Sequence, residues 1–304
     1  MILIVLLAAV YSMSSFFDLP AKLSEHSLMI HHFCLQMLPT RVENHGSLEA
    51  LVCGKNMQEL ELQQLLVQSS LIHVFIVSGS HFLFLHKLLA RVPIVRFCPL
   101  LVLSVYCLAT LCQPPALRSL LFLSLVSFTK QQKRFPSPVI LVFISCAFSV
   151  CIFPQWITSR SLLMSLLAAL TIAVMSEFWG KNRGSIPEMF ATQSTIYVVM
   201  AFCLWGFSNL HPLSILMNMI FAPLIGAVIF PLALLVIVLP PLGFVFDAAM
   251  NALIWILRNT SEVLGENGAG ELVPVVWQWT LFLVLTAASY SYLIQQKRRK
   301  VRRA

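Results

Sequence analysis

The sequence predicts an all-α, polytopic integral membrane protein of about nine or ten spans with broken or re-entrant helices, and three observations predict it. Of its 304 residues, 59% are apolar and only 11% are Asp, Glu, Lys or Arg, where a soluble domain carries roughly 25%. Long windows hold no such charge: 62–86, 97–117, 135–159, 272–296 and the whole run from Met189 to Phe246. A crossing helix needs about 20 largely apolar residues, so the last run must cross more than once. The charges that remain fall in clusters between the windows. This composition excludes an ordinary soluble enzyme, a disordered chain and a disulfide scaffold.

Residues 1–17 read as a signal anchor or first span, because they are apolar and lack the basic start of a cleaved signal peptide. Residues 18–68 are the most polar part, with six acidic and three basic side chains, and end in an amphipathic stretch. Residues 69–295 form the membrane domain, and 296–304 a basic tail. Six of the net +8 charges sit in that tail, on Lys297, Arg298, Arg299, Lys300, Arg302 and Arg303. Basic residues concentrate on the cytoplasmic side, which puts the C-terminus inside together with Lys130, Lys133, Arg134, Lys181 and Arg183. Counting crossings back from these clusters places 18–68 on the outer face. Three crossings within 190–264 and a last one over 273–294 complete the count.

The interruptions say more than the spans. Pro114 and Pro115 precede a short apolar segment, Ser78 and Gly79 sit in the middle of the 69–86 window, and Asn218, Pro223, Gly226 and Pro231 punctuate the longest apolar run. Broken helices at membrane depth are tolerated where the freed backbone faces protein or a water-filled cavity, which points to a pathway. Kinks are also common in membrane helices and need conduct nothing.

Between Glu61 and Glu177 there is no acidic residue. Most of the basic residues in that interval mark the cytoplasmic side, but the parity puts Arg118 and Arg160 at the outer ends of spans. An unpaired intramembrane Arg is a functional-site hypothesis, and snorkelling to the headgroups is its alternative. On the first reading the two arginines ring an outer vestibule, with His73 and His211 nearby. Within the run from Ile72 to His81, Ser78 and His81 are three residues apart and share a helix face. They read either as a nucleophile and base or as polar groups that join packed helices.

These residues carry a resemblance. The segment from Leu48 to Leu89 resembles the signature of ComEC-type competence proteins, in which a Gly-containing turn and an amphipathic stretch lead to a His-Leu-Leu-Ala-(Ile/Val)-Ser-Gly-Leu-His motif. His73, Ser78, Gly79 and His81 match it position by position. Pro115-Ala116-Leu117-Arg118 is similar to the family's small-residue and Arg segment, and LSILMNMIFAPLIGAVIFPLALL to its Asn-containing block with paired prolines, matched at Asn218, Pro223 and Pro231. Two positions depart from the pattern: Ser80 stands where Leu is usual, and Ser119 where Ala is typical.

The resemblance implies an inner-membrane channel, not an enzyme, that carries single-stranded DNA across the bacterial cytoplasmic membrane during natural transformation. His73, Ser78, Gly79, His81, Arg118, Arg160, Asn218, Pro223 and Pro231 are then expected along the DNA pathway. Physical chemistry is compatible: a polyanion needs fixed cations and hydrogen-bond donors and repels lining carboxylates. The expected partners are single-stranded DNA, the lipid bilayer, separate DNA-binding and nuclease proteins and a cytoplasmic motor, with self-association left open. Neither the OB-like nor the metallo-β-lactamase-like domain of full-length members has room in the 304 residues, so the chain is expected to be the membrane core alone. The alternatives from other classes are an intramembrane serine hydrolase using Ser78 with His73 or His81, and a small-solute secondary transporter.

No phosphate-cradling glycine motif occurs, so a partner must supply energy, and no cofactor is expected. Cys34 and Cys53 both fall in the outer segment and can form a disulfide in an oxidising compartment. His26, His31, His32 and His45 flank Cys34, but the spacing fits no zinc pattern and no metal is expected.

Overall fold

The computed structural model describes residues 11, 12, 15, 18–57, 59–93, 98–133, 136–179, 186–204, 211–264 and 273–303. Among these every regular element is helical. In chain order they are α1 (Leu19–Gln36), α2 (His45–Cys53), α3 (Leu60–Gln68), α4 (Ile72–Phe75), α5 (Gly79–Leu89), α6 (Pro99–Ala109), α7 (Pro114–Gln131), α8 (Pro138–Ile152), α9 (Arg160–Trp179) and α10 (Ile186–Leu204). Then come α11 (Leu213–Leu224), a π turn (Ile225–Ile229), α12 (Phe230–Val238), α13 (Gly243–Leu264) and α14 (Val275–Arg303). Residues 1–10, Arg134, Lys181 and Arg183, on which part of the topology reading rests, lie outside the described residues.

Four helices are long and apolar enough to cross a membrane: Ile72–Leu89 taken through its break, Arg160–Trp179, Leu213–Val238 and Pro240–Ser261. The chain is therefore a membrane protein; these four spans are the ones found among the described residues, and they do not establish the finer count of nine or ten. The windows behind that count include helices that fall short of a bilayer. At 1.5 Å per residue an ~30 Å hydrocarbon core outreaches both Pro99–Ala109 and Pro138–Ile152.

Three apolar clusters organise the helices. Leu48, Leu51 and Leu66 are fully buried together with Phe75, Ile225, Phe246 and Met250, which joins α2–α4 to α11–α13. Leu162, Leu163, Leu166 and Phe282 hold α8–α10 to α14. Phe82, Leu103, Cys107 and Ala116 pack α5, α6 and α7 between them. Leu62, Leu65 and Leu66 share one core with Leu71 and Phe75, so this cluster runs across 68/69.

The polar segment is tied down at several points. Asp247 on α13 accepts from the Glu43 and Asn44 backbone N–H groups (3.0 and 2.8 Å), and Arg258 pairs with Glu61. Cys34 and Cys53 form a disulfide, fixing α1 to the end of α2. His31 Nδ1 donates to the Ala109 carbonyl (2.8 Å) and Ser27 to that of Leu108 (2.8 Å), which anchors α1 along α6.

The longest apolar run is not broken where its prolines suggested. Pro223 lies inside α11 and Pro231 at the start of α12, yet the helix continues through the π turn between them. A proline removes one backbone donor and crowds the carbonyl four residues back. Widening the helix by a residue relieves that crowding without ending it.

The disulfide predicts a labelling pattern. A membrane-impermeant maleimide applied to intact spheroplasts should reach Cys34 only after reduction, and the fully buried Cys53 far more slowly. Replacing either cysteine by Ser should cost ~3 kcal/mol of stability in detergent. Labelling that is indifferent to reduction would refute the bridge.

Candidate functional site at the broken span

The Ile72–Leu89 span breaks between α4 and α5, where Ile76 and Ser78 take extended backbone angles. An interrupted helix exposes N–H groups that need partners. His81 supplies one: its Nδ1 accepts from the Ser78 N–H at 3.1 Å. The ring is fully buried and lies 4.1 Å from that of Phe230, the first residue after the π turn. Asn218 on α11 donates to the Ser70 carbonyl just before α4 (3.4 Å) and to that of Ser214 within its own helix (2.9 Å).

Arg118 meets the other side of the break. It is only 6% exposed, donates from Nε to Ser165 Oγ on α9 (3.0 Å) and from Nη2 to Ser119 Oγ (2.8 Å). Ser119 Oγ in turn donates to the Pro115 carbonyl (2.7 Å). Among the described residues no carboxylate pairs with Arg118. Gly79 makes this packing possible: a Cβ there would stand 2.7 Å from Ser119 Oγ and 2.8 Å from Arg118 Nη2. Taking a guanidinium out of water is costly, and two neutral hydroxyls offset that only in part.

Segments spread over some 160 residues of chain therefore converge on one break. Gly79 touches Arg118, His81 touches Phe230, and Asn218 reaches Ser70. Pro223 is exposed and Pro231 half-buried; they flank the π turn rather than lining the break. His73 is exposed on α4. Arg160 lies at the start of α9, where Nη2 donates to the Val273 carbonyl (3.1 Å) and Nη1 is buried without a partner. Among the described residues no three His, Cys, Asp or Glu side chains come together as a metal site requires.

Two expectations are corrected by this geometry. Arg118 does not ring an outer vestibule with Arg160, His73 and His211, because it is buried against α5 and α9, while His211 accepts from the Leu213 N–H (3.2 Å) at the start of α11. Ser78 Oγ does not face a histidine as a nucleophile would; it bonds Ser80 Oγ at 2.7 Å. Sequence reasoning missed Ser165, since a lone Ser in an apolar helix carries no signal. Ser119 and Ser80, noted only as departures, turn out to be the partners of Arg118 and Ser78.

A family model described as "Competence protein" matches residues 52–298. An uncharacterized protein of Aquifex aeolicus (strain VF5) is 30% identical over 189 residues, which cover 59% of this chain. The chain spans 44% of the length of that relative. No solved structure matches.

The close approach at Gly79 is testable by a double substitution. Gly79→Ala should lower the thermal midpoint in detergent, at a cost of about 1–3 kcal/mol for overpacking, and Ser119→Ala should restore part of it by removing the nearer atom. If Gly79→Ala is neutral, Arg118 is free to move away and the contact does not constrain the site.

Proposed function

We propose, from the premise that this chain belongs to the competence protein family, that it is the membrane channel through which single-stranded DNA crosses during natural transformation. The observation that carries the reading is Arg118: a buried cation that the protein leaves without a carboxylate, set against the break in a membrane-spanning helix. Its charge is held only by the neutral hydroxyls of Ser165 and Ser119, with no carboxylate among the described residues to neutralise it, so a phosphate at the break would be attracted to it. A phosphate contact is independent of sequence, as a conduit for any strand requires. The break supplies unwound backbone, which is tolerated at membrane depth where it lines a cavity.

On this reading the protein sits in the bacterial inner membrane with its basic C-terminus in the cytoplasm. Separate proteins deliver and degrade DNA, and a cytoplasmic motor supplies the work. A hydrolase is the weaker reading, because Ser78 is bonded to Ser80 and not to an imidazole. A small-solute secondary transporter is favoured by the same broken span, since half-helix ends mark those sites also. Uptake of labelled DNA in a deletion strain complemented with this chain separates the two.

In that assay Arg118→Gln should reduce uptake about equally for all DNA sequences. In reconstituted vesicles the variant should lower the log–log salt slope of single-strand binding by roughly 0.7, one phosphate contact. Arg118→Lys should keep part of the function, and Arg118→Glu should do worse than Gln through repulsion. Normal uptake with Arg118→Glu would remove Arg118 from the pathway.

A further inference from the structure

A cavity of about 630 Å³ lies against the break, within the ~300–1,000 Å³ range of sites that engulf small ligands. His31, Lys55, Asn56, Ile76, Gln113 and Ser161 are among its lining residues. Three of the lining residues stand in register with the buried layer described above. Ile76 precedes Gly79 by three residues, Pro114 precedes Arg118 by four, and Ser161 precedes Ser165 by four. Four residues of helix rise about 6 Å, so the cavity sits one turn above the Arg118–Ser165 bond. The helices α7 and α9 begin at this level, at Pro114 and Arg160, while α5 begins one step further in, at Gly79 beside Arg118.

The lining is rich in donors. It offers the Lys55 ammonium, the Asn56 amide and the Ser161 hydroxyl, and no carboxylate belongs to it among the described residues. His31 is 8% exposed; its Nδ1 is spent on the Ala109 carbonyl, so the imidazole is held in one orientation and its Nε2 has no protein partner among the described residues. Ile76, Met57 and Leu111 give the same cavity apolar surface. The walls are fixed covalently, because His31 lies one turn before Cys34, and the wall from Gly54 to Met57 directly follows Cys53. Gln113 Nε2 closes a third side by donating to the Gly54 carbonyl (2.6 Å).

We infer that this cavity is an entry site that takes a phosphodiester of single-stranded nucleic acid with its attached base, one step before Arg118. Phosphate oxygens meet Lys55 and Ser161, and the base lies on the aliphatic wall of Met57, Ile76 and Leu111, contacts that read no base edge and so hold a strand without regard to sequence. Glu49 shares Lys55 at 2.7 Å, which weakens the hold on any one phosphate. A conducting site must release what it binds. The inference rests on the channel reading above and adds a second station to it.

The test uses the full chain in lipid nanodiscs and a fluorescein-labelled oligothymidylate, with passage of the same strand measured in proteoliposomes. Ser161→Trp, which fills the cavity, should weaken binding roughly tenfold, the scale of one base and its contacts. Lys55→Gln should lower the salt slope by about 0.7. Leu101→Trp, on an exposed part of α6, controls for insertion and should bind as the unaltered chain does. If the unaltered chain binds and passes the strand while Ser161→Trp and Lys55→Gln behave identically to it, the cavity is overturned and the channel reading stands. If glycerol 3-phosphate displaces the strand at equal concentration, the cavity is a lipid-headgroup pocket and the inference is likewise overturned. If the unaltered chain neither binds nor passes the strand, both readings fall.

Discussion

The structure around the break depends on the burial of one guanidinium. Arg118 is held by hydroxyls on α7 and α9 and lies against the backbone of Gly79 on α5, so three helices meet where the charge sits. Hydrogen bonds to a charged group contribute about 1.5–3 kcal/mol each, while removing the charge from water costs several. Packing of the surrounding Leu and Phe side chains must offset the difference. A Met or Leu at 118 would be expected to stabilise the bundle more cheaply. The retention of a cation there is difficult to explain by folding alone.

The same economy governs the break itself. A helix interrupted inside a membrane leaves backbone donors that lipid cannot satisfy, and the chain answers with side chains drawn from far away. His81 caps Ser78 and leans on Phe230, and Phe230 is presented by a helix already widened to accommodate Pro223 and Pro231. Through His81 the geometry of the break is coupled to the π turn. A movement of α11–α12 would be felt at Ser78, and a change at Ser78 would be felt along the longest span.

Legibility in the sequence followed the range of the interaction. The break at Ser78 and Gly79 was readable, because small polar residues inside an apolar window are a local signal. The convergence of three blocks was not, since nothing in their spacing says that Gly79 must meet Arg118. Charge parity put Arg118 at an outer helix end, but it counts residues and is blind to burial. Prolines 223 and 231 read as breaks, because the alternative, a π turn, depends on room that only neighbouring helices decide; around Gly226 there is open space. Four of the nine or ten expected spans are found among the described residues, and the windows show why such a count is hard to read. Charge-free stretches such as 97–117 contain turns and short helices, and an apolar window does not report where the backbone bends. The polar face of α13 escaped as well: Asp247, Asn251 and Arg258 recur on it and are met by Glu43, Asn44 and Glu61, a match legible only once both partners are in view.

A polyanion imposes two opposite demands on a protein that lets it through. Without cations it does not enter a low-dielectric layer, and with fully exposed, unshared cations it binds and stays. On the channel reading proposed above, the arrangement meets both by dilution. Lys55 is shared with Glu49, and Arg118 is shared among hydroxyls. On the proposed channel reading each station would then hold a phosphate weakly, with the next about one helical turn further in. On the same reading carboxylates are kept from the deeper layer, and one, the largely buried Glu49, is admitted beside Lys55 with which it pairs. That ordering explains why the acid-free interval begins after Glu61, before the chain turns into the broken span, and why the residues of the break are small, neutral and hydroxyl-bearing rather than charged.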